Sequence, residues 1–517
     1  MKDMCDGTMR RSRSLSFGSP SSSRTVGVVG LAILTFYSVS GGPFGSEATV
    51  AYAGPAYTLL GYTIFPLLWS IPEALVVAEL SSTYPESSGF VAWVEEAFGH
   101  KLANVEGYLS WISGVTDNSL YPVLFLKYIL SDLEKESFDG DGDDINLFSY
   151  NIFTRWLMLT TMITLLGFIN YRGLTIVSTT AVIVCVLSLM PFFVLICACI
   201  PKIDVSNFMV VPEGEWGGLK QIEWSSFLNV LFWNLNYWDS ASIFSGDVKD
   251  PAKTYPRALS YALLMVTLGY LLPLLVGIGA STADWKDWDD GYFEVVGREV
   301  GGRWLGVWIV AGAGISNVGL YCAEMGSDSY QLMGMADRGL LPKALGRRSK
   351  YGTPTMGILV GSVGCMIFSL FDFNELIEMV NFLYIFAQFL EFAAFIKLRV
   401  SAPNVYRPFK IPLGTRGCVI MLSFPTLFMF VMMTLGSAKT WAVCTTLVLF
   451  GVVFFWFMDI ARERRWVEFE ELVREDELDG RRGGGGGEVG VGEEGDDLLR
   501  RGGGNCGGRT IEQQGVV

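Results

Sequence analysis

TFYSVSGGPFGSEAT, residues Thr35–Thr49, opens inside the first strongly apolar region of the chain and then interrupts it. Gly41, Gly42 and Gly45 fall within five residues, Pro43 lies among them, and Glu47 follows. The apolar run from Thr25 to Tyr37 would cover about 20 Å as a helix. That is short of the roughly 30 Å of a bilayer core, so a crossing also needs the segment from Phe44 onward. Glycine leaves a helix readily, and Pro43 lacks the N–H that would continue it. A kinked span is the simplest reading of such a break. Non-helical backbone at membrane depth is otherwise tolerated only where it is buried in protein or lines a cavity.

The rest of the chain supplies the membrane context. Of 517 residues, 51% are hydrophobic and 17% charged, where a soluble protein carries about a quarter charged. About twelve runs are long enough to span, near 26–52, 57–81, 103–130, 152–170, 174–200, 222–246, 258–282, 302–330, 354–371, 374–398, 417–437 and 438–459. The first run is too long and too late for a cleaved signal, so it is read as a retained span. The net charge of −14 is sorted by side. One set of loops collects Arg10, Arg11, Arg13, Lys249, Lys253, Arg257, Arg338, Lys343, Arg347, Arg348, Lys397, Arg399, Arg407 and Lys410. The other holds the mostly acidic SDLEKESFDGDGDD (131–144) and DWKDWDDGYFE (284–294). The positive-inside rule then places both termini in the cytoplasm, with the plasma membrane the default location. Residues 1–25 and the glycine-rich tail within 460–517 read as disordered, because neither can bury a core.

The nine cysteines show no metal-ligand spacing, and His100 is the single histidine. No His–Cys metal cluster and no histidine-based hydrolytic triad is available, so the chain is not expected to be an enzyme or to hold a metal or cofactor.

A second break gives the first its meaning. LFWNLNYWDSASIFSGDV (231–248) puts Asn234, Asn236, Asp239, Ser240 and Ser242 into the expected sixth span. The two interrupted spans start five spans apart, and an odd offset inverts the second half relative to the first. Interrupted helices at matching positions of inverted repeats mark secondary transporters with a midplane site. The expected fold is an all-α integral membrane protein with inverted repeats at 26–200 (spans 1–5) and 222–399 (spans 6–10). Two further spans follow at 417–459.

The motifs VSGGPFGSEATV, FPLLWSIPEALVVAELSSTYPESSGFVAWVEEAFG, SGVTDNSLYPVLFLKY, FWNLNYWDSASIFSGDVKDPAKTYPRAL and AEMGSDSYQLMGMADRGLLP, in that order, resemble the polyamine uptake transporters of plants and protists. These belong to the amino acid–polyamine–organocation superfamily. The resemblance covers about residues 25 to 465. It implies the leucine-transporter-type fold and proton-coupled import of polyamines such as putrescine and spermidine.

Acids within spans are costly and are functional candidates by default. The chain carries Glu73, Glu79, Asp117, Asp239, Glu324 and Glu391 in its apolar runs, with almost no cations beside them. Lys127 is near a span end and can snorkel. A surplus of buried negative charge calls for protons or a cationic ligand. The expected substrate contacts are Ser40, Gly41, Gly42, Glu47, Asp117, Asn118, Tyr121, Trp233, Asn236, Trp238 and Asp239. Asp239, Glu73 and Glu324 are the expected proton carriers.

Each residue also has a plainer reading. Glu47 is either an amine ligand or an acid favourable to a helix N-terminus. In the superfamily the amides of the first break hold a substrate carboxylate, and a polyamine has none. Trp233 falls where basic amino acid transporters of the superfamily carry an aromatic gate, against which core packing is the rival. Trp238 is open to interface packing. Asp239 matches an acid linked to proton coupling in the family, or caps the second half-helix SASIFSGDV. Asp117 and Tyr121, four apart, share one helix face, with Asn118 beside it. Glu79 reads as structural, and Glu391 as a partner of Lys397 or Arg399.

The rivals are an amino acid–proton symporter or exchanger of the same fold, and a nutrient receptor that binds without carrying. L-type exchangers of the superfamily bond to a heavy chain through a cysteine between spans three and four. Residues 131–151 contain none, so no disulfide-linked partner is expected. The expected partners are the substrate, protons and the bilayer, and no nucleic acid.

Overall fold

The computed structural model describes residues 26–86, 88–137, 152–172, 174–215 and 217–470. The expected disordered tails lie outside the described residues, apart from 460–470. So does most of the acidic and cysteine-free loop after span three. The described residues are helical, without a named strand. In chain order the helices are α1 (Val28–Val39), α2 (Ala48–Ala53), α3 (Pro55–Thr83), α4 (Gly89–Phe98), α5 (His100–Ser137), α6 (Ile152–Arg172), α7 (Leu174–Cys199) and α8 (Trp224–Trp233). Then follow α9 (Pro251–Ala280), α10 (Tyr292–Gly301), α11 (Arg303–Asp337), α12 (Thr355–Phe368), α13 (Phe373–Ser401), α14 (Thr415–Leu435) and α15 (Ala438–Glu463).

Each of the twelve apolar runs coincides with helix. Among the described residues, seven helices are long and apolar enough to cross a membrane unaided: α3, the Ile183–Lys202 stretch beginning in α7, α9, α11, α13, α14 and α15. The other five regions are helical too, but broken, shorter or more polar. The most apolar windows of α13 and α11 are 72% and 67% buried, whereas that of α15 is 17% buried. So α11 and α13 form the centre, and α15 turns most of its apolar surface outward. Leu60, Phe193, Leu264, Leu427 and Trp456 are exposed, while Glu73, Asp117, Asp239 and Glu391 are buried. This is the distribution of a protein solvated by lipid, with its polar groups facing the bundle interior.

The expected breaks are present. Helix α1 ends at Val39 and α2 begins at Ala48. Between them Gly41, Gly42 and Gly45 take φ of +65°, +132° and +78°, backbone that glycine adopts without the Cβ penalty. The close approach is tightest at Gly41, where an added Cβ would stand 2.5 Å from Leu320 Cγ of α11. The Gly41 carbonyl also accepts the Ser316 hydroxyl of α11. Gly41→Ala is therefore expected to destabilise the fold by about 2–3 kcal/mol, combining the left-handed conformation with the overlap. A detergent thermal melt of Gly41→Ala, alone and with Leu320→Ala, checks it. The double variant should recover the steric part only.

The second break differs from expectation in one respect. Helix α8 stops at Trp233, and Tyr237 has φ +67°. The segment that follows, Trp238–Phe244, is a 3₁₀ helix rather than the α-helix expected there. The serines account for this. Ser240 Oγ donates to the Tyr237 carbonyl at 2.7 Å, and Ser245 Oγ to that of Ser242 at 2.6 Å. Tyr255 of α9 takes the Ala241 carbonyl at 2.8 Å. Hydroxyls bound to backbone carbonyls compete with the i−4 ladder and favour the tighter turn.

The breaks face each other: Asn234 Nδ2 donates to the Gly45 carbonyl at 3.3 Å, and a Cβ at Gly45 would meet the Trp233 ring at 2.9 Å. Helix α3 supports the second break. Its π-helical turn, Pro66–Ser70, brings Ser70 Oγ to the Leu235 carbonyl at 2.9 Å. One turn on, Glu73 Oε1 accepts the Trp238 amide at 2.9 Å.

Glu79 ties one end of the bundle. It receives both Nε (2.9 Å) and Nη2 of Arg399, Nε of Arg407 (3.2 Å) and the Ile411 amide (2.9 Å). This corrects the expectation for Glu391. Arg399 is committed to Glu79, and Lys397 lies over the Phe98 ring at 4.4 Å. Glu391 lies about two turns deeper than Arg399 on α13, too far down the helix to compete for it. At the same end Arg338 bridges Glu86 and Glu95. The segment after α15 docks there too, with Lys343 N bound to the Glu468 carbonyl at 2.9 Å.

Candidate functional site

A cavity lies where the two breaks meet α5. It is lined by Ser38, Val39, Ser40 and Phe44 of the first break region, Asp117, Tyr121 and Leu124 of α5, Trp233, Asn234 and Tyr237 of the second break region, Tyr270 of α9 and Leu320 of α11. Asp117 is its charged group. Tyr121, one turn on, donates its hydroxyl to Asp117 Oδ2, and the Trp233 indole donates to Oδ1 at 2.6 Å. An ionised carboxylate has lone pairs beyond those two. Asp117 can therefore take an ammonium while its orientation is held by the two rings. Tyr121, Trp233, Tyr237 and Tyr270 supply aromatic walls, surfaces that attract a cation.

The first break offers few spare donors. Gly41 N is bound to the Phe36 carbonyl at 3.0 Å, Gly42 N to Ser40 Oγ at 3.1 Å, and Gly45 N to Tyr128 Oη at 3.3 Å. These three amides are already bonded and not free for an anionic ligand group, so the cavity presents a carboxylate and π-faces.

Two further acids adjoin on the side of the second break. Tyr384 of α13 donates within reach of both Glu73 Oε1 (2.6 Å) and Asp239 Oδ1 (3.1 Å). Its hydroxyl links the carboxyls of α3 and of the 3₁₀ segment. One tyrosine hydroxyl between two carboxyls is a ready path for a shared proton. Glu324 of α11 is 3% exposed and one helical turn from Asp328.

Of the residues singled out from sequence, Ser40, Asp117, Tyr121 and Trp233 line the cavity. Gly41 and Gly42 shape the break behind it. Asp239 and Glu73 share the Tyr384 hydroxyl, Glu324 is buried on α11, and the Trp238 indole folds back onto the Leu235 carbonyl at 2.9 Å. Asn236 reaches toward Asn381 at 3.4 Å, away from the cavity lining. Asn118 is fully buried, with neither amide atom hydrogen-bonded. Glu47 stands apart. Its Oε1 accepts from Tyr128 Oη (3.2 Å) and Gly291 N (3.3 Å), and its side chain caps no helix. Nearby, Lys127 pairs with Asp290 at 2.8 Å rather than lying free.

Sequence reading passed over Tyr237, Tyr270, Leu320, Tyr384, Glu106 and Asp328. Asn234 was noted in the break but not selected. Its side chain joins Tyr62, Tyr270 and the Gly45 carbonyl. Glu106 had a legible signal, lying eleven residues before Asp117, or three helical turns on the same face. Asp328 had one too, four after Glu324. Tyr384 and Tyr270 had none, since aromatic residues in spans are common.

The model of the amino acid permease family matches residues 26–455. The chain belongs to the amino acid permease family. The permease is thus a membrane transporter and not an enzyme. It is 44% identical to "Polyamine transporter PUT1" of Oryza sativa subsp. japonica over 87% of its own length and 81% of the relative's. To "Polyamine transporter RMV1" of Arabidopsis thaliana it is 43% identical over 86% and 88%. A more distant relative is the "Branched-chain amino acid permease BcaP" of Lactococcus lactis subsp. cremoris, 23% identical over 68% of the permease and 76% of that protein. Among the described residues no three of His, Cys, Asp or Glu converge to hold a metal ion.

Proposed function

We propose that the permease imports polyamines such as putrescine and spermidine in symport with protons, by alternating access around the two breaks, at the plasma membrane with both termini cytoplasmic. The observation that carries the reading is the cavity itself. A buried carboxylate, Asp117, is walled by aromatic rings, while the amides of Gly41, Gly42 and Gly45 in the break already have partners in α1, the loop and α5. The names of the most similar relatives point the same way.

In this reading one substrate ammonium binds Asp117 between Tyr121, Trp233 and Tyr237. Asp239 and Glu73, joined through Tyr384, carry the coupled proton, with Glu324 beside them. Glu47, Tyr128 and Gly291 hold the external side closed, and the Glu79–Arg399–Arg407 tie holds the cytoplasmic side. The basic residues Arg338, Arg399 and Arg407 at that second end support its cytoplasmic placement.

The test is uptake of labelled putrescine, spermidine and leucine at external pH 5.5 and 7.5, in cells lacking their own carriers. Symport predicts faster polyamine uptake at the lower pH, because the driving gradient is larger. Leucine uptake alone would reject the assignment in favour of amino acid transport. Binding without counterflow in liposomes would make the protein a receptor.

A further inference from the structure

Tyr237 is the residue at which the cavity and the Glu73–Asp239 pair meet. It lines the cavity with Asp117 and is 6% exposed. Its backbone is left-handed, with φ +67° and ψ +27°, a conformation that residues with a Cβ resist. A turn alone would be served by glycine or asparagine, which enter that region readily. A tyrosine there needs contacts that offset the strain, and it has them on three helices.

The first contact is with α5. Ser113 gives its single hydrogen to the Val380 carbonyl of α13 at 3.2 Å, so in the 2.7 Å bond between Ser113 Oγ and the Tyr237 hydroxyl the tyrosine donates. Ser113 is fully buried and lies outside the cavity lining, one turn before Asp117 on the same face of α5. The Tyr237 oxygen keeps lone pairs, and its ring a π-face, for an ammonium at Asp117.

The second contact is with α13. The Tyr237 amide donates to the Tyr384 hydroxyl at 3.3 Å, and the two rings lie 4.4 Å apart, centre to centre. The third is made by the next amide, that of Trp238, which donates to Glu73 Oε1 of α3 at 2.9 Å. These two amides flank the Tyr237 Cα, so its φ and ψ aim both donors. Their acceptors are the groups that join the acid pair, since the Tyr384 hydroxyl lies 2.6 Å from Glu73 Oε1 and 3.1 Å from Asp239 Oδ1. That hydroxyl has one hydrogen and gives it to one carboxyl at a time. A small displacement therefore decides which carboxyl is favoured as the anion and which takes a proton. Two other acids share these helix faces, Glu391 two turns beyond Tyr384 on α13 and Glu106 two turns before Ser113 on α5. Neither is a hydrogen-bond partner of Tyr237 or Tyr384.

We propose that Tyr237, tethered by Ser113, is the residue that couples ligand to proton. An ammonium bound at Asp117 draws on the Tyr237 oxygen and loosens its tie to Ser113. The Tyr237 backbone is then released from its left-handed conformation, and the donors on Tyr384 and Glu73 move together. Occupancy of the cavity is thereby read at the Glu73–Asp239 pair. This rests on the proposed function and adds the residue through which its two sites communicate. Tyr237 and Ser113 act on the proton as positioning residues and do not carry it. Coupling between sites is reciprocal, so the protonation of the pair also sets the ring that the ligand meets.

The test uses purified full-length protein in liposomes with a trapped pH-sensitive dye and labelled spermidine. The quantity read is spermidine-dependent proton entry per spermidine carried under an inward pH gradient. In Ser113→Ala this ratio should fall about 5-fold or more, the lower end of ordinary coupling between sites, while spermidine counterflow at equal pH stays within about 2-fold of wild type. Tyr237→Phe, which removes the same hydrogen bond from the other side, should lower the ratio as well. A purely structural role would reduce counterflow and proton entry in parallel and leave the ratio unchanged. An unchanged ratio in either variant therefore overturns the coupling role. Should Ser113→Ala not fold, Tyr237→Phe decides by the ratio alone. Wild-type protein that carries no spermidine, or carries it without proton entry, fails the proposed function instead. Coupled wild type with equally coupled variants fails only the role given to Tyr237.

Discussion

Asp117→Asn is expected to lower spermidine uptake, read as kcat/KM, by about 30-fold or more while leaving surface expression near wild type. A buried ammonium–carboxylate contact that loses one partner is worth about 2–5 kcal/mol, and each 1.4 kcal/mol is a factor of ten. Asparagine keeps the shape of the side chain and one acceptor for Trp233 Nε1 or the Tyr121 hydroxyl, so the local packing survives. What disappears is the charge. The substitution should therefore weaken monoamines and polyamines alike. Trp233→Phe retains a ring but removes the donor to Asp117 Oδ1, and should give a smaller loss. Normal uptake by Asp117→Asn would remove the ammonium site from this cavity.

Glu79→Ala is expected to cost about 3–5 kcal/mol, because it strands buried guanidinium groups. Arg399 and Arg407 have side chains only 3% and 5% exposed, and both point at a carboxylate that is fully buried. The Ile411 amide would also lose its acceptor. Most of the variant should be lost to aggregation, seen as a collapsed monodisperse peak in detergent. Glu79→Ala combined with Arg399→Met should recover part of the loss, since one of the two orphaned cations is gone. A stable, monodisperse single variant would show that water reaches this end of the bundle and hydrates the arginines.

The breaks were legible from residues 40–47 and 234–237 because they depend on local chemistry. Gly41, Gly42 and Gly45 adopt backbone that other residues resist, Pro43 withholds an N–H, and asparagines cannot lie against lipid. The Asp117–Tyr121 pair was legible because four residues make one helical turn. The expectation for Glu391 failed for the opposite reason. Arg399 is eight residues away on the same helix, yet its partner is Glu79, 320 positions distant. The 3₁₀ form of Trp238–Phe244 also escaped sequence reading. It arises from hydroxyls that bond backward and from Tyr255, which arrives from α9.

Apolar periodicity and the placement of helix breakers thus sufficed for the all-α membrane architecture, its interrupted first and sixth spans and a surplus of buried acids. Those properties follow from residues acting on their own backbone or on the bilayer. Which acids share a cavity, which are neutralised by arginine and which stand unpaired followed from packing alone. Asp117 meets Trp233, Glu73 meets Asp239 through Tyr384, and Asp328 lies on Gly114 because separate helices are brought together side by side. An interhelical contact depends on the rotation of both helices, and no spacing along one chain segment encodes the rotation of the other.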